Sequence, residues 1–185
     1  MTYICLQPYD GCDNEILDEI ARRLMDILPI PVRVLPSIES PVYAFDPDRK
    51  QYYSTKILRY IVNSHSDSAL RTIGITAVDL FIPILTYVFG EAQLDGKAAI
   101  VSGARLKQEY YGLKPDKRLY VERLFKELMH ELGHTFGLTH CDLPYCVMHL
   151  SNNVTGIDKK TATFCENHRD QLINKLKELE IPYGK

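Results

Sequence analysis

With 185 residues, 45% of them hydrophobic and 25% charged, the chain suits one globular domain or two lobes sharing a cleft, and it can bury a core without disulfide staples. A formal net charge of −2 leaves no cationic footprint for nucleic acid or an anionic membrane surface. The longest apolar stretch, Val78 to Val88, is broken by Asp79, Pro83 and Thr86, well short of the roughly 18 residues that span a bilayer.

Met1–Pro8 alternates as a first strand, and Asp13–Leu28 carries Ile16, Leu17, Ile20, Ala21, Leu24, Ile27 and Leu28 at helical spacing, with Asp13 as N-cap and Pro29 as stop. Pro31–Pro36 reads as a short strand. Gln51–Asn63 reads as a second amphipathic helix with Tyr53, Ile57, Tyr60 and Ile61 on one face. From Leu70 to Leu106 the pattern turns to β. Thr72–Leu80 and Ala98–Leu106 are strands, and Gly90–Asp95 with Gly96 makes a hairpin. Asp116–Phe136 is the next helix, its Leu119, Leu124, Phe125, Leu128, Leu132 and Phe136 keeping a 3.6-residue period after Pro115. The chain is then irregular from Gly137 to Thr163, and Asn167–Leu179 closes it with a last amphipathic helix. This order predicts an α/β fold with a mixed sheet. It divides into an N-terminal subdomain, residues 1–137, and a smaller C-terminal subdomain, residues 138–185, with a cleft between them.

The helix at Asp116–Phe136 ends in a motif. Residues 130–140 read HELGHTFGLTH, which is HExxHxxGxxH. His130 and His134 stand one helical turn apart on one face, the spacing of two ligands of a tetrahedral zinc. A continuing helix could not bring a third ligand to the same ion six residues later. Gly137 can adopt left-handed torsions, end the helix and turn the chain back so that His140 becomes that ligand. Three protein ligands leave a fourth position for water, the mark of a catalytic zinc, and Glu131 beside them is the candidate general base. The string is the metzincin signature.

The residues that follow narrow this further. His140 leads into Cys141-Asp142-Leu143-Pro144-Tyr145-Cys146-Val147-Met148, and the complete string HExxHxxGxxHCx4CxM resembles that of the archaemetzincin family of metzincins. Arg49–Leu58 and Gly96–Leu106 are also similar to segments of that family. The resemblance implies a zincin fold and a peptidase that takes a peptide or protein substrate along the sheet edge near Gly90–Asp95. It also implies a Met-turn at Met148 and a second, structural zinc on Cys141, Cys146 and a downstream CxxC. Here that pair is Cys165-Glu166-Asn167-His168, a CxxH, so His168 is the expected fourth ligand of a Cys₃His site. From the residues alone, a reduced thiol cluster or a Cys141–Cys146 disulfide stays open, and His149 rivals His168. Some metzincins place a tyrosine metal ligand two residues after the Met-turn methionine; Leu150 stands there and excludes that device.

Two zinc ions per chain are therefore expected, one catalytic and one structural. Five cysteines, an odd number, and no signal-peptide pattern in MTYICLQPYD fit a reducing cytoplasm. No obvious pro-segment precedes the fold, and a monomer is expected. Cys5 and Cys12 read as core or near-surface thiols, and His65 as solvated. A non-catalytic zinc protein that binds peptides in the same cleft is the competing function, and hydrolysis of a non-peptide amide would use the same residues.

Overall fold

Apolar alternation at the amino terminus becomes the interior of a sheet. The computed structural model describes residues 2–181; Met1 of the expected first strand and residues 182–185 of the expected C-terminal subdomain lie outside them. In chain order the elements are β1 (Tyr3–Pro8), α1 (Asn14–Ile27), β2 (Val32–Val34), β3 (Phe45–Asp46), β4 (Gln51–Tyr53), α2 (Ser54–Asn63) and β5 (Ala69–Thr76). They continue with β6 (Leu80–Phe81), β7 (Gly90–Ala92), β8 (Ala98–Ser102), α3 (Lys117–Thr135), α4 (Val154–Lys159) and α5 (Glu166–Glu178).

The main sheet has the order β2-β1-β5-β8-β7. β1, β2, β5 and β8 run parallel, and β7 pairs antiparallel with β8, Gly90 opposite Val101 and Ala92 opposite Ala99. The sheet is mixed, as its sequence order implies. β1 and β5 are buried along nearly their whole length because helices cover both faces. On one face Ile4, Leu6, Ile73, Ile75, Ala99 and Val101 pack against α1 and α3. On the other, Ala98 and Ile100 meet Ile57, Leu58 and Ile61 of α2.

Helix ends follow the capping residues. The Asp13 side chain accepts from the Glu15 N–H, and the Asp116 side chain from the Leu119 N–H at 2.9 Å. Strand ends follow them less well. α2 begins at Ser54 and not Gln51, because Gln51–Tyr53 pairs with β3 and β6 in a second, three-stranded sheet. Its buried face includes Leu58, while Tyr60 lies outside against Tyr43. The strand expected at Thr72–Leu80 ends at Thr76, and Leu80 joins the second sheet. The strand expected at Ala98–Leu106 ends at Ser102, whose hydroxyl donates to the Val78 carbonyl. The region expected to be irregular contains α4, capped by Asn153, whose side chain accepts from the Gly156 N–H. Arg123 of α3 ties this helix down through a bidentate pair with Asp158, both contacts 2.7 Å. Among the described residues no helix is long and apolar enough to cross a membrane.

Candidate active site

The last turns of α3 run beneath the β7–β8 edge, and the helix ends as the motif requires. Gly137 has φ +88°, its N–H donates to the His134 carbonyl, and the Leu138 N–H donates to the Gly133 carbonyl, a left-handed C-cap that only glycine adopts freely. The chain then reverses and returns His140. Metal-binding atoms of His130, His134 and His140 all lie within 4.8 Å of one another, with ring centroids 4.7–5.3 Å apart.

Backbone carbonyls set the tautomers. His130 Nδ1 donates to the Val147 carbonyl at 2.8 Å and His134 Nδ1 to the Leu138 carbonyl at 2.7 Å. Burial holds all three imidazoles below their ordinary pKa, His130 well below, and the Lys160 ammonium adds to that effect on each. With the Nδ1 protons of His130 and His134 given to those carbonyls, their Nε2 atoms face each other at 3.1 Å. Two lone pairs facing at that distance repel unless a cation accepts both, which is the donor set zinc takes.

Glu131 is buried beside this cluster and lines a cleft of about 680 Å³ whose walls also include Leu85, Tyr87, Phe89, Leu94 and Leu150. Its carboxylate lies against the edge strand. A Cβ added at Gly90 would stand 2.7 Å from Glu131 Oε1 and 2.6 Å from its Cγ. We predict that Gly90→Ala displaces the carboxylate and lowers kcat by about tenfold to a hundredfold, with bound metal unchanged by elemental analysis. Undiminished kcat would show that the close approach is immaterial. At one end of the cleft the Tyr87 hydroxyl donates to the Asn152 carbonyl at 2.8 Å, joining the upper rim to the lower.

The second cluster forms next to the first, since Cys141 follows His140 directly. Ligand atoms of Cys141, Cys146, Cys165 and His168 all lie within 4.8 Å of one another, and none of these thiols is in a disulfide. Cys141 and Cys165 sulfurs are 3.9 Å apart, and His168 Nδ1 is 3.2 Å from the Cys165 sulfur and 3.8 Å from that of Cys146. A tetrahedron with bonds of about 2.3 Å has an edge near 3.8 Å, so the spacing suits one zinc. Burial pushes the Cys146 thiol up to about 11. Burial pushes Cys165 up as well, but the N–H groups of His168 and Asn167 at the start of α5 and the neighbouring thiols outweigh it and hold that thiol below its ordinary value.

Met148 is fully buried beneath the histidine pair, and the glycine between those ligands makes room for it: a Cβ on Gly133 would stand 2.5 Å from the methionine sulfur. The Phe164 ring fills the same space, 3.2 Å from that position. His149 stays out of both clusters; its Nδ1 donates to the Cys141 carbonyl at 2.8 Å and holds the start of the loop. His65 is half-buried, bonded through Nδ1 to the Thr72 hydroxyl, rather than solvated. Cys5 is buried and Cys12 half-buried, as expected. Two site residues escape sequence reasoning: Glu127, one turn before Glu131 on α3, lines the cleft, and Lys160 pairs with it at 2.8 Å behind the wall. The i, i+4 spacing of Glu127 and Glu131 was the available signal.

Helix, sheet edge and ligand set together place the molecule among metallopeptidases of the metzincin type. The model for Peptidase family M54 matches residues 1–175. An archaemetzincin of Methanocaldococcus jannaschii is 38% identical over 163 residues, 88% of either chain. The crystal structure of archaemetzincin from Methanopyrus kandleri superposes with a TM-score of 0.83 at 36% identity over 96% of both chains. That of a zinc-dependent peptidase from Methanocorpusculum labreanum gives 0.81 at 31% identity, covering 91% of this chain and 99% of the other. The chain belongs to Peptidase family M54, the archaemetzincins, and is a zinc metallopeptidase.

Proposed function

We propose that the chain hydrolyses peptide bonds at the His130–His134–His140 cluster, with Glu131 as general base and general acid. The single observation that carries this is the juxtaposition of three imidazoles with a buried carboxylate at the edge of the sheet. The His130, His134 and His140 nitrogens would hold one zinc; Cys141, Cys146, Cys165 and His168 would hold a second that stabilises the C-terminal subdomain. When bound, the catalytic zinc supplies Lewis acidity, polarising a carbonyl and lowering the pKa of water to about 7.

The protein's own residues do the rest. β7 is the outer strand of the main sheet, and its free edge pairs with an extended substrate, setting the scissile carbonyl above the histidines. Glu131 takes a proton from water as the water oxygen bonds to the carbonyl carbon. When the C–N bond breaks, Glu131 returns that proton to the departing amine nitrogen. Burial, and after it repulsion from Glu127, holds the Glu131 carboxyl well above the usual carboxylate range against the opposing pull of Lys160. Met148 packs under the ligands as an apolar floor. On this reading a division at Gly137 leaves the main sheet and α3 on one side of the cleft and the described chain after Gly137 on the other.

A peptide library incubated with zinc-loaded protein tests this. Cleavage is expected with zinc, is lost on chelation, and returns when zinc is restored. Cleavage that persists without metal overturns the reading, and binding without cleavage by the zinc-loaded chain favours the non-catalytic alternative.

A further inference from the structure

Two carboxylates that line the cleft, Glu91 and Glu127, carry no proton in the hydrolysis above. Glu127 lines the cleft with a side chain only 5% exposed. Its ion partner, Lys160, is fully buried, also donates to the His149 carbonyl at 3.3 Å, and does not line the cleft. Oε1, the oxygen on the Lys160 side, is itself buried, so the oxygen left toward the cleft is Oε2. The pair is close, 2.8 Å, yet Glu127 Oε1 receives no well-aligned hydrogen bond.

Charge along the lining is one-sided. Glu91, Glu127 and Glu131 supply three carboxylates, and no lysine or arginine is among the lining residues. Glu91 is committed to the start of α2, accepting from the Ser54 and Thr55 hydroxyls. Glu131 has the proton transfer. Glu127 alone is left to meet a ligand, and the walls of the cleft include the apolar Leu85, Leu94 and Leu150 and the ring of Tyr87.

We infer that Glu127 is a specificity determinant, receiving the cationic tip of an arginine or lysine side chain next to the scissile bond. The apolar walls take the methylene stem, as long basic side chains require. Lys160 fixes one carboxylate oxygen and so aims the group, and the guanidinium or ammonium of the substrate adds a charge-assisted hydrogen bond of the stronger class. A purely structural role explains the pair less well. Buried ion pairs stabilise weakly compared with apolar pairs of similar volume, and a packing role does not call for a carboxylate open to the cleft.

The inference rests on the peptidase reading only in that the cleft holds a peptide, so binding is measured apart from turnover. Zinc-loaded Glu131→Gln protein is titrated with fluorescent peptides that differ only in carrying Arg, Leu or Glu beside the target bond. The Arg peptide is expected to bind about tenfold more tightly than the Leu peptide, with the Glu peptide weakest. Adding Glu127→Gln erases the Arg preference while leaving Leu-peptide affinity in place. Should that double variant melt early, Glu127→Leu with Lys160→Met replaces the ion pair by apolar groups and makes the same prediction. Equal affinities for Arg and Leu peptides, or a preference that survives loss of Glu127, overturn the inference. Cleavage of the same peptides by the unaltered holoenzyme reports the peptidase reading separately: selective binding without cleavage sinks that reading alone, and unselective cleavage sinks this one alone.

Discussion

Glu131→Gln lowers kcat/KM for any cleaved peptide by about two to four orders of magnitude, while the zinc content of the protein does not change. The amide has the size of the carboxylate, so it fits the space beside Gly90 that a larger group would not. It leaves the two helical histidines as they are, because the Nδ1 atoms of His130 and His134 are fixed by the Val147 and Leu138 carbonyls and not by Glu131. What it cannot do is accept a proton from water. Parallel measurement of metal content and single-turnover cleavage separates loss of chemistry from loss of metal. Undiminished turnover in a variant that keeps its zinc removes Glu131 from the role.

Removing the second metal has the larger effect on folding. Cys165→Ser is expected to lower the melting temperature by at least about 10 °C and to release one zinc per chain. The region it holds has little regular structure of its own: α4 is six residues long, and much of the remainder between Leu138 and Cys165 is loop. Cys146, Val147 and Met148 are buried there, but the chain is pinned to the start of α5 chiefly through the thiol cluster. Structural zinc in small peptides supplies roughly 10–16 kcal/mol, comparable with the entire net stability of a domain, so little of this segment should stay ordered without it. His168→Cys makes a four-thiolate site and is expected to keep the metal, whereas His168→Ala weakens it. Calorimetry with metal analysis decides the matter; an unchanged melting point and two zinc ions in Cys165→Ser would eliminate the second site.

Local chemistry was readable along the chain, and long-range chemistry was not. The zinc motif is legible because one helical turn and one glycine fix the positions of His130, His134 and His140. Asp13 and Asp116 mark helix starts because an N-cap acts over three residues. The CxxH at Cys165 and His168 is equally local, and only its meeting with Cys141 and Cys146 needed the fold. The small second sheet was missed because Gln51–Tyr53 runs straight into α2, so helical periodicity absorbed it. α4 was missed because VTGIDK is short, with a glycine and a threonine inside. Glu127 and Lys160 look like ordinary surface charges, and their burial depends on α4 closing over α3.

His140 and Cys141 are joined by a peptide bond, so the two metal sites share a stretch of backbone. Filling the thiolate site fixes the torsions that aim the His140 ring, and filling the histidine site fixes those that aim the Cys141 sulfur. Linkage is reciprocal, so whatever factor one ion adds to the affinity of the other is returned in equal measure. Zinc titrated into the apo chain should therefore bind cooperatively rather than as two independent ions, and half-loaded molecules should be scarce.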